Sequence, residues 1–173
     1  MELDRANMNI PVGLAVARWT HKIYTVLAIL FVGGLALLAA STVHAAAALT
    51  VTPITWNIVG LDSNNVNVGP NNFPVGARVC NTGDAAATNV VATFVWDSTP
   101  VPNYINNRPG SNTTLSVASL AQGTCTDFYF EVEVTRDANA YEKTRRYHIN
   151  VTANGGISVN TATPREIYVE HLI

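Results

Sequence analysis

From Cys125 to Val134 the chain alternates without a slip. Phe128, Phe130, Val132 and Val134 share one parity, and Asp127, Tyr129, Glu131 and Glu133 share the other. Successive side chains of a strand point to opposite faces, so one face of this segment suits an apolar interior and the other suits water. The stretch from Thr144 to Ala153 repeats the pattern. Tyr147, Ile149, Val151 and Ala153 fall inward, and Arg146, His148, Asn150 and Thr152 outward. Near the end of the chain, Ile167 and Val169 oppose Glu166 and Glu170. Three half-wet strands need a second apolar layer, and two antiparallel sheets packed face to face supply it. A parallel sheet buried on both faces would not tolerate the carboxylates.

After residue 45 helical periodicity is absent. Runs rich in Val, Thr, Ile and aromatics stand between clusters of Gly, Pro, Asn and Asp, the pattern of an all-β sandwich or barrel. Seven strands are predicted: 49–59, 73–80, 88–97, 113–120, 125–136, 144–153 and 165–172. In the first, Trp56 shares the parity of Ile54 and Ile58, which predicts a buried indole. The turn over 81–84, NTGD, places Asn81 and Gly83 where a positive φ costs little. Two long polar loops, 60–72 and 98–112, separate the early strands.

The N-terminus is different. Ile23 to Ala40 carries no charge, Arg18, His21 and Lys22 precede it, and small residues end at Val43, His44 and Ala45. A basic flank, an apolar stretch and a small-x-small end describe a signal peptide cut after Ala45; cuts after Ala46 or Ala47 fit nearly as well. The competing reading keeps residues 23–40 as an uncleaved helical anchor, close to the minimum length for a span. Both readings place the rest of the chain outside the cytoplasmic membrane. The expected organisation is therefore residues 1–45 as a signal segment and 46–173 as one domain, large enough for a single core. That domain holds seven Lys or Arg and ten Asp or Glu, net −3. Nothing there resembles the clustered basic face of a nucleic-acid binder. Lys143, Arg145 and Arg146 read as the solvated start of a strand.

Two cysteines remain, Cys80 and Cys125, and an even count in an exported domain suggests a disulfide. By parity both face solvent, Cys80 with Arg78 and Cys125 with Asp127. In a seven-stranded immunoglobulin-like (fibronectin type III-like) antiparallel sandwich the second and fifth strands are neighbours, so the end of one meets the start of the other. A bridge there would lie within one sheet, unlike the antibody bridge through the core. Free thiols are the alternative. A zinc site needs about four ligands, which this pair does not supply.

Residues 79–90, VCNTGDAAATNV, resemble the N-T-G-D-x-x-A-x-N-V signature of the conserved-repeat and CARDB-like (cell-adhesion-related) domains of bacterial and archaeal surface proteins. Residues 120–124, LAQGT, look like the step those families place before a strand. The alternation of Tyr147, Ile149, Val151 and Ala153 before Gly155 is similar to a strand of fibronectin type III domains. The resemblance implies a structural spacer or adhesion module of an exported or surface protein, part of a longer chain. The cysteine pair departs from many such repeats.

No catalytic constellation emerges. His148 and His171 lie on ordinary strands, Glu131 and Glu133 share a solvated face, and no Gly-x-Ser-x-Gly is present. The 60–72 loop offers Asp62, Asn64, Asn65 and Asn67 as oxygen ligands for calcium. It holds one carboxylate and not the Asp-x-Asp-x-Asp spacing, so turn formation explains it as well. No cofactor and no metal are expected. The expected function is a non-catalytic extracellular structural or adhesion module, with a protein or glycan partner at the cell surface that the residues do not name. A carbohydrate-binding sandwich is the second reading, with Trp56, Trp96, Tyr104 and Tyr168 as stacking candidates. Membrane contact is expected only through residues 23–40, if uncleaved. Processing after Ala45 gives one direct test: the N-terminus of the exported protein, read by intact mass, should be Ala46.

Overall fold

The computed structural model describes residues 44–162 and 165–172. The expected signal segment, its helix over 23–40 included, lies outside the described residues except for its last two positions.

Ten strands form two sheets. They are β1 (Leu49–Pro53), β2 (Ile58–Asp62), β3 (Asn72–Asn81), β4 (Ala87–Trp96), β5 (Ile105–Asn107), β6 (Thr114–Leu120), β7 (Cys125–Val134), β8 (Thr144–Ala153), β9 (Ile157–Asn160) and β10 (Arg165–Leu172). One sheet has the order β1-β3-β7-β5, and the other β2-β10-β8-β4-β6, with β9 also paired to β8. The chain is all-β among the described residues apart from one 3₁₀ turn, Ala138–Ala140.

The alternation seen in the sequence sets the packing. Phe128, Phe130, Val132 and Val134 of β7 are buried, as are Tyr147, Ile149 and Val151 of β8 and Ile167 and Val169 of β10. Phe94 of β4 meets Phe130 across the sheets at 5.7 Å and stacks on Tyr147 at 4.9 Å. On the outer face of the β3–β7 pair, directly opposed residues match in turn: Cys80 with Cys125, Arg78 with Asp127, Gly76 with Tyr129. Such cross-strand pairs are the unit of sheet stabilisation. The first of them is a disulfide, within one sheet and at the surface, Cys125 being exposed and Cys80 half-buried.

Four expectations are corrected. The strand predicted over 49–59 is two strands, because the chain leaves the edge of β3 after Pro53 and crosses to the other sheet, where β2 runs parallel to β10. The second sheet is therefore mixed. Burial over 49–59 has the opposite phase to the one expected: Leu49 and Val59 are buried, whereas Trp56, 86% exposed instead of buried, and Ile58, 53% exposed, share the outward parity of Thr50 and Thr52. The two polar loops are shorter than expected: Gly60, Leu61 and Asp62 belong to β2, and β5 rises inside the 98–112 loop. β9 was not foreseen. It follows the positive-φ pair Gly155 and Gly156, which turns the chain back along β8.

The fourth correction concerns the NTGD turn. Neither Asn81 nor Gly83 has a positive φ. Gly83 is needed for room instead: a Cβ there would collide with the carbonyl of Ala46 and the backbone of Ala47 and Ala48. Asn81 is fully buried. Its Oδ1 accepts from the backbone N–H of Ala48 at 3.3 Å and Gly83 at 3.1 Å, and its Nδ2 donates to the carbonyls of Ala85 at 2.7 Å and Leu120 at 3.0 Å. One amide thus ties together the run into β1, the turn after β3 and the end of β6. The carbonyl of Ala46 accepts from Asp84 N–H at 2.8 Å, an interaction that cleavage after Ala45 would keep.

The disulfide joins residues 45 apart, a loop for which chain entropy suggests roughly 3–4 kcal/mol. The double variant Cys80→Ala/Cys125→Ala should lose about that much unfolding free energy in urea, with a larger m-value because the unfolded chain expands. An unchanged urea midpoint would refute the bridge as a stabilising element.

Candidate functional site

The segment that crosses between the sheets presents the most exposed aromatic surface among the described residues. It is fixed at its root. Ile54 N–H donates to the Gly76 carbonyl at 3.0 Å, and Thr55 Oγ1 accepts from Gly76 N–H at 2.9 Å. Gly76 has no room for a side chain, since a Cβ would lie 2.7 Å from the Tyr129 ring and 3.0 Å from Ile54 Cγ1. At the other end, Tyr168 N–H donates to the Asn57 carbonyl at 2.8 Å. Between these ties stands Trp56, which shares a depression with Ile58 (53% exposed), while Tyr129 (52% exposed) lies opposite Gly76 on the outer face of the other sheet. Exposed large apolar groups of this kind are more often interaction surface than accident when they cluster.

Trp56 walls two open depressions. One, of about 370 Å³, is lined by Pro53, Ile54, Thr55, Trp56, Asn57 and Arg165. The other, of about 240 Å³, has Ile58, Phe73 and Pro74 on its far side. The first has an ordered polar wall. Asn57 Oδ1 accepts from Arg165 Nη2 at 2.6 Å and from the Tyr147 hydroxyl at 3.1 Å, and Arg165 Nε donates to that hydroxyl at 3.3 Å. Tyr147 is itself a core residue, so the guanidinium rests on a rigid base.

The other aromatics proposed for stacking are less free. Trp96 is half-buried, edge-on to Phe94 at 4.8 Å and covered by the Arg145 guanidinium at 4.1 Å. Tyr104 packs against the core, and Tyr168 is half-buried opposite Ile58. The structure does not bring the four together on one face.

Arg145 corrects a further expectation. It is not part of a solvated strand start: only 6% of it is exposed. Its parity is that of Tyr147, so it points inward at the end of the sandwich. Nε donates to the Ser98 carbonyl at 3.0 Å, and Nη1 to the Ile105 carbonyl at 2.6 Å and Asn106 Oδ1 at 3.1 Å. Burial pushes its pKa down from the usual arginine value. Carbonyl dipoles and the Trp96 face offset that cost, the latter as a cation–π contact. Arg146, its neighbour, is exposed and lies 3.6 Å from Glu166.

The remaining titratable residues serve the scaffold. Arg78 and Asp127 form a bidentate pair with both bonds at 2.8 Å; the guanidinium holds the Asp127 carboxyl below its ordinary range. His148 Nδ1 lies 2.6 Å from Asp97 Oδ1, but no serine, threonine or cysteine hydroxyl or thiol meets His148 among the described residues. His171 is exposed and stacks on Tyr141 at 3.7 Å. Glu131 and Glu133 are half-buried on the outer face of β7, and Arg108 approaches Glu131 at 4.0 Å.

The loop offered for calcium is organised around a guanidinium. Arg136 donates to the carbonyls of Val66 at 3.0 Å, Val68 at 2.7 Å and Gly69 at 2.6 Å. Asp62 Oδ1 accepts from the N–H groups of Asn64 and Asn65, and Asn65 Oδ1 from that of Asn67. These are the side-chain turns that Asp and Asn form in loops. Among the described residues no group of three or more His, Cys, Asp or Glu side chains converges on one point, and no helix is long and apolar enough to cross a membrane.

No family model matches this sequence, and no curated protein matches it. Solved structures offer only distant likeness. A secreted serine protease, VesC from Vibrio cholerae, aligns over 70% of this chain and 23% of its own at 12% identity, TM-score 0.39. Spo0M, a sporulation control protein from Bacillus subtilis, aligns over 75% and 51% at 12% identity, TM-score 0.37. The CsuC–CsuE chaperone–tip adhesin complex of Acinetobacter baumannii aligns over 72% and 57% at 12% identity, TM-score 0.33. The chain thus spans less than two thirds of each of these structures, and likeness at this level carries no functional argument.

Replacing Arg145 tests the inward reading. Arg145→Ala strands buried carbonyl acceptors and uncovers Trp96, and should cost about 2–4 kcal/mol in urea unfolding. Arg145→Lys should recover only part of that, because an ammonium lacks the planar fork. Arg146→Ala should stay within about 0.5 kcal/mol of the parent. Equal effects at positions 145 and 146 would refute the assignment.

Proposed function

We propose that this chain is a non-catalytic structural or adhesion module of the immunoglobulin-like type, exported and held outside the cytoplasmic membrane. The observation that carries the reading is the segment Ile54–Ile58: an exposed indole on a backbone tied at both ends to a disulfide-locked sandwich. Such a surface suits contact with a partner better than chemistry. The titratable groups nearest to a catalytic arrangement, His148 with Asp97, stand without a nucleophile among the described residues. The disulfide accords with an oxidising compartment, and the apolar run over 23–40 with export.

For the subtype, the supporting feature is the division of strands. β1, β3 and β7 share one sheet, and β4, β8 and β10 the other, the division of first, second and fifth against third, sixth and seventh strands in immunoglobulin-like sandwiches. β6 departs from the antibody pattern by pairing with β4. Likeness to CARDB-like surface domains rests on the NTGD stretch, whose Asn81 and Gly83 hold the run into β1. A carbohydrate-binding role is the second reading, favoured by the exposure of Trp56.

Alkylation of intact producing cells, followed by fractionation, tests the location. Cys80 and Cys125 should be recovered as a disulfide in material that external protease can reach. Two alkylated thiols in protease-protected, cytoplasmic material would defeat the proposal. Immobilised protein should also bind cell-envelope material, with Trp56→Ala lowering binding on the order of tenfold at unchanged Tm.

A further inference from the structure

We propose that the depression between Trp56 and Arg165 binds a carboxylated sugar residue, the indole stacking on the ring and the guanidinium receiving the carboxylate. This rests on the carbohydrate-binding reading given above and narrows it to acidic saccharides.

Three features point the same way. First, the Trp56 indole is 86% exposed on a backbone that cannot fold it away. Ile54 and Thr55 are pinned to Gly76, and the Asn57 carbonyl to Tyr168. A flat aromatic face in water recovers hydrophobic free energy when another apolar surface covers it, and the C–H face of a pyranose has that shape. Second, the lining of the same depression includes a cation, Arg165. Arg165 spends Nε and Nη2 on Tyr147 and Asn57, which hold the guanidinium plane in place. Nη1 makes no hydrogen bond among the described residues, and no carboxylate there lies within 4.0 Å of Arg165; the nearest acidic neighbour in sequence, Glu166, pairs with Arg146. A preorganised guanidinium with an open edge matches a carboxylate. Third, the depression is shallow and open, about 370 Å³, and Thr55 and Asn57 add polar atoms to its rim. That shape fits one or two sugar units of an extended chain better than an enclosed small molecule.

The experiment uses the purified, disulfide-bonded protein and three polymers: polygalacturonate as the acidic saccharide, dextran as a neutral one and poly-glutamate as an acidic polypeptide. Calorimetry or biolayer interferometry should show saturable binding to polygalacturonate alone, weakening as salt rises. Trp56→Ala should lower affinity on the order of tenfold or more, Arg165→Gln several-fold or more, and Arg165→Lys less than Arg165→Gln. Thermal melts report on folding. If the Arg165 variants do not fold, Trp56→Ala and the salt series still decide the matter, because Trp56 is 86% exposed and lies outside the buried core. Dextran binding that needs Trp56 but not Arg165 would overturn the acidic assignment and leave the carbohydrate reading standing. Binding to none of the saccharides would remove both. Equal binding to poly-glutamate would make the depression a peptide site and overturn the inference.

Discussion

The contact of Phe94, Phe130 and Tyr147 between the two sheets is the interaction on which the other features depend. Phe94 touches Phe130 of the opposite sheet and stacks on Tyr147 of its own, and the buried Val, Ile and Leu residues extend that contact along both inner faces. Burying three aromatic side chains in one place removes several hundred Å² from water. Because side chains alternate, placing Phe130 inside places Tyr129 and Glu131 outside, and the β3–β7 register then brings Cys80 opposite Cys125 and Arg78 opposite Asp127. The bridge and the ion pair are consequences of that register.

A sandwich must also close its ends, where backbone groups leave the ladders. Here three polar side chains do so. Asn81 satisfies backbone groups from three segments with one amide. Arg145 gathers carbonyls from the 98–106 stretch under its guanidinium, and Arg136 does the same for the 66–69 stretch. Buried polar groups are tolerated where they are fully partnered. Asn81 and Arg145 are buried at strand ends, and Arg136, half-buried, lies just beyond β7. The NTGD turn has the same physical basis: an amide that bonds in four directions and a glycine that lets the chain pass close by.

The exposed indole sits on the first of the segments that carry the chain from one sheet to the other. Moving from β1 to β2 requires leaving the ladder at Ile54, and a residue on that bend belongs to neither inner face. Trp56 occupies that position. It also has the parity of Thr50 and Thr52, the outward-facing positions of β1. Arg165 reaches the same region because β10 begins beside Asn57 and Tyr147, far from Trp56 in sequence and close in space.

Period-two burial in β7, β8 and β10, the outward parity of Cys80 and Cys125, and the two-layered all-β architecture were legible in the residues alone, because alternation is local and each strand carries its own pattern. The split of 49–59, the parallel pairing of β2, the additional strands β5 and β9, and the exposure of Trp56 were not, because they depend on which sheet a segment joins. The inward turn of Arg145 lay in between. Its parity with Tyr147 was visible, but a buried cation is acceptable only when carbonyls surround it, and those carbonyls belong to Ser98 and Ile105, 47 and 40 residues away. Sequence settled what β7, β8 and β10 hide and show; the tertiary structure decided where the chain crosses, and with it which aromatic and which guanidinium line one depression, because residues 56 and 165 come to the same region through strand pairing that no local pattern encodes.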